Sequence, residues 1–213
     1  MPSSLDLVIL FTRYPRPGRC KTRLIPVLGD EGAIRIHQQL VSHILQELNS
    51  CVHRANTELF IYYDGGSLPE MEEWLGTTGY SFFQQQGEDL GQRMAQALTQ
   101  ALNQGRNVIL VGSDCPAITA SLLDEGLASL HHHDMVLGPA HDGGYYLIGL
   151  ARNVSSSCCR NLFRDIPWST PQVLSKTLNR AQEQNLRLHT LSTLHDIDTA
   201  EDLKYFHHHS HPQ

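Results

Sequence analysis

Strand-length apolar runs alternating with amphipathic stretches constrain this chain more than any other feature. Leu5 to Phe11, Glu58 to Tyr63 and Val108 to Val111 are such runs. Each ends in residues that cannot continue a strand: Pro15, Pro17 and Gly18 follow the first, Asp64-Gly-Gly66 the second and Gly112-Ser-Asp-Cys-Pro116 the third. Continuous apolar strands belong to parallel sheets covered by helices on both faces. Between them, Asp30-Glu31 opens a helix whose apolar stripe is Ile34, Leu40, Val41, Ile44, Leu45 and Leu48. Asp89 to Leu102 predicts another, with Leu90, Met94, Ala97, Leu98 and Ala101 on one side and Gly105 as its stop. A short helix near Pro69 to Leu75 and a strand near Tyr80 to Phe83 fall between the second run and that helix.

The second half continues the pattern. Thr119 is an N-cap for a helix ending at Leu130. Met135 to Leu137 and Tyr145 to Leu150 read as strands, closely enough spaced around Asp142 for antiparallel pairing. A helix over Pro171 to Gln184, a strand within Leu188 to Leu194 and a terminal helix over Thr199 to Phe206 complete the chain. The alternation predicts an α/β protein, a three-layer α/β/α arrangement around a mainly parallel, mixed sheet.

With 213 residues and no low-complexity linker, the chain fits one domain over 1–206 followed by a histidine-rich tail, 207–213. Sixteen Lys and Arg against 22 Asp and Glu give a net charge of -6, which supplies no broad basic field for nucleic acid. No apolar run approaches the ~18 residues of a membrane span. Met1 to Asp6 lacks the basic start of a secretory signal. Five cysteines in irregular spacing read as reduced thiols of a cytoplasmic protein, with Cys115 a small side chain filling a tight turn rather than a nucleophile. His131-His-His133 and the tail histidines 207–209 and 211 make poor metal cages, because neighbouring helical positions point apart.

Chemistry-bearing residues gather at strand ends. The loop Arg13-Tyr-Pro-Arg-Pro-Gly-Arg-Cys-Lys-Thr-Arg23 follows the first strand, its glycine Gly18 and prolines bending the chain while Arg13, Lys21 and Arg23 offer charge to phosphates. It lacks the spacing of the phosphate loop of nucleotide hydrolases and of the dinucleotide fingerprint. Asp89 and Arg93, four apart around Gly91, read equally as a helix-start pair and as donor-holding groups. Asp114, Asp142, Asp196 and Asp198 all follow apolar segments. Clustered carboxylates need a compensating cation, and Mg²⁺ or Mn²⁺ held by one or two of them together with substrate phosphate would supply it. Asp142, flanked by Gly143 and Gly144, is placed to accept a proton from an acceptor, and Asp202 reads as a cap or surface residue. Basic groups for phosphates and carboxylates for a cation point to a transferase acting on a nucleotide-linked donor.

Leu10 to Leu24, Gly87-Glu-Asp-Leu-Gly-Gln-Arg93, Gly112-Ser-Asp-Cys-Pro116 and Gly138-Pro-Ala-His-Asp-Gly-Gly-Tyr-Tyr-Leu-Ile-Gly149 together resemble a bacterial glycosyltransferase-A-like family once classed as a domain of unknown function. Its members are linked to sugar transfer or arsenosugar biosynthesis. Trp168-Ser-Thr170 and Asp196-Ile-Asp-Thr-Ala-Glu-Asp202 resemble its later motifs, so the likeness runs from Leu5 to about Leu203. The resemblance implies a nucleotide-diphospho-sugar transferase fold, with a nucleotide-binding half over about 5–116 and an acceptor-side half over about 117–206. It also implies phosphate contacts from Lys21 and Arg23, a metal-region role for Asp114, an acceptor-side role for Asp142 and a metal role for Asp196 or Asp198. Arg13 stands where the family usually has lysine, and His141 where an acidic or polar residue is usual. The expected partners are a nucleotide sugar and a small-molecule acceptor.

The Lys-Thr-Arg-Leu and Asp-Ile-Asp-Thr segments are also similar to phospholactate guanylyltransferases and, more distantly, to molybdenum-cofactor nucleotidyltransferases. That alternative would join a nucleoside triphosphate to a phosphorylated small molecule. A noncatalytic nucleotide- or sugar-binding protein is the third reading. The sequence carries no signal for oligomeric state.

Overall fold

The computed structural model describes residues 6–54 and 57–209; Leu5 and His211 lie outside them. β1 (Asp6–Arg13) is buried from Leu7 through Phe11, because helices cover it on both sides. Alternate side chains divide between two layers. Val8 and Leu10 join Leu59, Ile61, Ile109 and Val111 in the cluster with α1 (Ile25–Arg54), α2 (Leu68–Leu75) and α4 (Ala120–Ser129). Leu7, Ile9 and Phe11 join Val108, Leu110 and Ile148 in the cluster with α3 (Leu90–Asn103), α5 (Ser156–Leu162) and α6 (Val173–Glu183). The result is the expected α/β/α sandwich.

The other strands are β2 (Thr57–Asp64), β3 (Ser81–Gln84), β4 (Val108–Gly112), β5 (Met135–Pro139), β6 (Tyr145–Leu150) and β7 (Leu188–Thr190). They form one seven-stranded sheet in the order β3-β2-β1-β4-β6-β5-β7. β6 pairs antiparallel with both β4 and β5, and the remaining pairings are parallel. The antiparallel hairpin around Asp142 is thus the one predicted from spacing. After β1 the chain lays β2 and β3 to one side, then returns to place β4 on the other. Such a reversal opens a crevice at the C-terminal ends of the two strands it separates, here β1 and β4.

Local departures from the sequence reading have identifiable causes. Gly29, at φ 68° and ψ 172°, interrupts α1, so the long helical stretch begins near Asp30 as expected while a short one precedes it. α5 was not anticipated: Ser156-Ser-Cys-Cys159 has little helix propensity, and the helix forms because Ser155 caps it and Cys159 and Leu162 bury against α3 and its neighbours. β7 is short, and the expected strand resumes only as an isolated parallel bridge of Leu194 to Ala140. The terminal helix divides into a 3-10 turn, Ala200–Asp202, and α7 (Leu203–His209). There Asp202 is a cap, accepting from the Thr199 amide at 2.7 Å and the Asp198 amide at 3.1 Å.

Candidate active site at the switch point

The basic loop is pinned by its apolar members. Cys20 and Leu24 are buried on either side of Lys21, and Lys21 adopts a left-handed φ of 49° at the start of a 3-10 turn, Thr22–Leu24. That geometry, uncommon for a long side chain, carries Lys21 inward. Its side chain is 4% exposed, and Nζ lies 2.5 Å from Asp114 Oδ1. Beyond this ion pair, Nζ has no hydrogen-bond acceptor among the described residues. Asp114 stands two residues past β4. Protein surrounds its carboxylate, yet 51% of the side-chain surface meets solvent, as on the floor of an open cleft. Desolvation opposes its ionisation, but the Lys21 ammonium, with His37 and Arg13 behind it, outweighs that and holds Asp114 below the usual carboxylate range.

Two further acids reach the same edge from distant parts of the chain. The Ile197 amide donates to the Asp114 carbonyl at 2.8 Å, which brings the Asp196 segment across β4. Burial, reinforced by the charges of Asp142 and Asp114, pushes the Asp196 carboxyl up to about 6. Asp142 lies exposed in the β5–β6 turn, its Oδ1 accepting from the Gly144 amide at 2.8 Å. Gly143 holds φ 88° with its backbone against Pro171, so close that a Cβ there would overlap the Pro171 carbonyl. Asp198 is elsewhere engaged: Arg23 Nη1 binds its Oδ2 at 2.7 Å. No three His, Cys, Asp or Glu side chains among the described residues form a ready metal cage.

Arg13 and Arg93 both approach Asp64, at 3.5 Å and 3.2 Å, and Arg93 Nε also donates to the Gly87 carbonyl at 3.1 Å. Asp64 ends β2 directly opposite Arg13 in register. Two guanidinium groups sharing one carboxylate leave positive charge uncompensated at the strand ends. Asp89 caps α3, accepting from the Gln92 amide at 2.7 Å. Gly18, at φ 68°, supplies the loop's bend, its amide donating to Asp30 Oδ1 at 3.1 Å. Arg13, Lys21, Asp114, Asp142 and Asp196 therefore act on one another electrostatically, whereas Arg23–Asp198 and Asp89 have partners of their own.

Asp64, read from sequence only as a strand end, and His37 also belong to this edge. Asp64-Gly-Gly66 repeats the pattern of Asp142-Gly-Gly144, an acid and two glycines at a strand end, and that repetition was the available signal. His37 sits in the apolar stripe of α1, buried, with Nε2 2.9 Å from the Arg13 carbonyl. Desolvation lowers its pKa, and because its partner is a carbonyl, which only accepts, Nε2–H is the donor. Cys115, 2% exposed, has its thiol held protonated by burial and then by neighbouring acids, which fits a space-filling turn residue. A surface concavity of about 260 Å³ lined by Asn161, Arg164, Asp165, Arg180, Glu183 and Gln184 includes none of these residues.

The seven-stranded α/β/α architecture is the nucleotide-diphospho-sugar transferase fold. Residues 47–170 match the family profile described as "Uncharacterized protein conserved in bacteria (DUF2064)", and the chain belongs to that family. A solved protein of Desulfovibrio desulfuricans G20, provisionally named a nucleotide-diphospho-sugar transferase, is 37% identical over 95% of this chain and 86% of its own, with a TM-score of 0.85. A cytidylyltransferase from Leptospira borgpetersenii serovar Hardjo-bovis (strain JB197) shares the fold at 15% identity, covering 95% of this chain and 85% of that one, with a TM-score of 0.57. The Mycobacterium tuberculosis H37Rv protein Rv0371C, solved in complex with manganese, shares it at 13% identity, 94% and 97% coverage and a TM-score of 0.54. No curated protein matches the chain. Among the described residues no helix is long and apolar enough to cross a membrane.

Proposed function

We propose that the protein is a metal-dependent glycosyltransferase that moves a sugar from a nucleotide-diphosphate donor to a small acceptor. The observation that carries this reading is the meeting of Lys21 with Asp114 at the β1–β4 switch point, with Asp196 and Asp142 in electrostatic reach. The relative from Desulfovibrio desulfuricans G20 supports the sugar donor through the name it bears. The donor set fits Mg²⁺ or Mn²⁺: two oxygen-bearing side chains, Asp114 and Asp196, suit a hard cation completed by phosphate oxygens better than an all-protein cage. The raised Asp196 pKa fits too: burial is its main cause and the charges of Asp142 and Asp114 add to it, and a cation would favour the ionised carboxylate against both. When bound, the ion would neutralise charge on the departing diphosphate.

In this scheme Arg13 and Arg93 hold phosphate oxygens, their shared Asp64 leaving charge to spare. Gly18 shapes the loop that delivers Lys21, whose buried ammonium faces the same phosphates. Arg23 orients Asp198 and, through it, the segment carrying Asp196. An acceptor hydroxyl attacks the sugar carbon, the bond to the diphosphate oxygen breaks, and the hydroxyl proton passes to Asp142. Asp142 is suited to this because it is exposed and its neighbouring glycines admit close approach. Asp89 serves as a helix cap.

Incubation with panels of nucleotide sugars and nucleoside triphosphates plus Mn²⁺, with products resolved by chromatography, tests the reading. Release of nucleoside diphosphate from a nucleotide sugar is expected. Pyrophosphate release from a triphosphate would instead establish nucleotidyl transfer, and saturable binding without either product would make this a binding protein.

A further inference from the structure

Two histidines immediately precede the two acids that meet at the cleft: His141 before Asp142 and His195 before Asp196. Their segments run side by side in parallel. Ala140 bridges Leu194, the Leu194 amide donates to the Pro139 carbonyl at 3.0 Å, and the His141 amide donates to the Leu194 carbonyl at 3.0 Å. Residues at matching positions of parallel segments share a face. The imidazoles accordingly stack, with centroids 3.8 Å apart and planes 14° apart. The other face of His195 lies on Tyr205 of α7, at 3.9 Å and 10°, and Lys204 Nζ sits 4.8 Å over the Tyr205 ring. No other described aromatic pair is packed so closely or so nearly parallel.

This ladder stands where the backbone ties are few. His141 and Asp142 are exposed, and the bridge to Leu194 is a single isolated one. Asp142 and Asp196, when both are ionised, repel each other across the junction of their segments. Close face-to-face contact between the two preceding rings holds the segments together against that repulsion. We propose that His141, His195 and Tyr205 are positioning residues that lock the Asp142 turn to the Asp196 segment, so that the acceptor-side acid and the metal-side acid keep one relative placement. The link to metal rests on the glycosyltransferase reading above. The link between the two segments does not. Shape, not charge, is the requirement: a flat uncharged ring at position 195 satisfies it.

Two measurements on wild type, His195→Ala and His195→Phe test this. The first is Mn²⁺ affinity, from the electron paramagnetic resonance of the free ion. The second is amide hydrogen exchange at His141, which donates to Leu194, and at Gly144, which donates to Asp142 Oδ1. His195→Ala is expected to weaken Mn²⁺ binding by about tenfold, in line with loss of a stacked pair. It should also accelerate exchange at those two amides while β1 and β4 stay protected. His195→Phe should restore both. Wild-type affinity in His195→Ala, or a Phe variant as weak as the Ala variant, overturns the proposal while leaving the metal reading intact. Should the wild type bind no Mn²⁺, the metal role of Asp114 and Asp196 falls. Exchange then decides the stack alone, and unchanged protection in His195→Ala overturns it.

Discussion

Asp196 carries the clearest sign that this edge is organised for something other than stability. Its carboxyl is pushed up to about 6 by burial and by Asp142 and Asp114. Below an unfolded-state pKa of about 3.9 the group is protonated in both states. Between there and about 6 the folded protein keeps a proton that the unfolded chain has lost, so stability falls as pH rises through this window. Asp196→Asn should flatten that fall and make the protein more stable at neutral pH, by on the order of 1–2 kcal/mol once solvent screening is allowed for. Thermal melts of both proteins from pH 4 to pH 7 check this, and a parallel decline in the variant would contradict it. Asp114 has the opposite sign. Its pKa is depressed, so its contribution is present at neutral pH and is lost as acid protonates it.

These residues were legible in the sequence as types and positions, since Asp114, Asp142 and Asp196 each follow an apolar run. Their partners were not. That Asp198 turns to Arg23 while Asp196 turns to Asp142 and Asp114 depends on the Ile197 amide bonding to the Asp114 carbonyl, a contact between residues far apart in sequence. His37 looked like one more member of a helical stripe, because periodicity reports burial and not what a buried ring binds.

At the scale of elements, caps and glycines set the strand-edge geometry. Asp89 accepts from Gln92 as the N-cap of α3, the helix that presents Arg93. Asp89→Ala should cost about 1 kcal/mol of stability while leaving nucleotide affinity within twofold, about the margin of an indirect effect. Denaturant unfolding paired with nucleotide titration separates the two, and a large affinity loss at unchanged stability would make Asp89 a ligand. Gly143 is held at φ 88° against Pro171, with its carbonyl accepting from the Leu174 amide at 2.9 Å. Gly143→Ala combines a left-handed penalty with a backbone overlap and should destabilise by roughly 1–3 kcal/mol, which a melt reads directly. An unchanged melting temperature would mean that the turn has room to shift. Helix and strand identities followed from periodicity along most of the chain. α5 escaped it because tertiary burial of Cys159 and Leu162, not propensity, holds a serine- and cysteine-rich turn in helical form.

For the molecule as a whole, strand order creates the site. Local pattern announces parallel strands and covering helices, but β3-β2-β1-β4-β6-β5-β7 is a choice made by packing between elements. That order sets β1 beside β4, so that Lys21 reaches Asp114 and the β5–β6 turn delivers Asp142 to the same edge. In the proposed function a divalent cation and a nucleotide diphosphate bind this edge together, through Asp114. Calorimetric titration of a panel of nucleoside diphosphates into wild type and Asp114→Asn, each with and without Mn²⁺, tests it most directly. Mn²⁺ is expected to tighten at least one nucleotide by tenfold or more in the wild type, about 1.4 kcal/mol, and folded Asp114→Asn to lose this gain. Equal Mn²⁺-dependent tightening in the variant would contradict it.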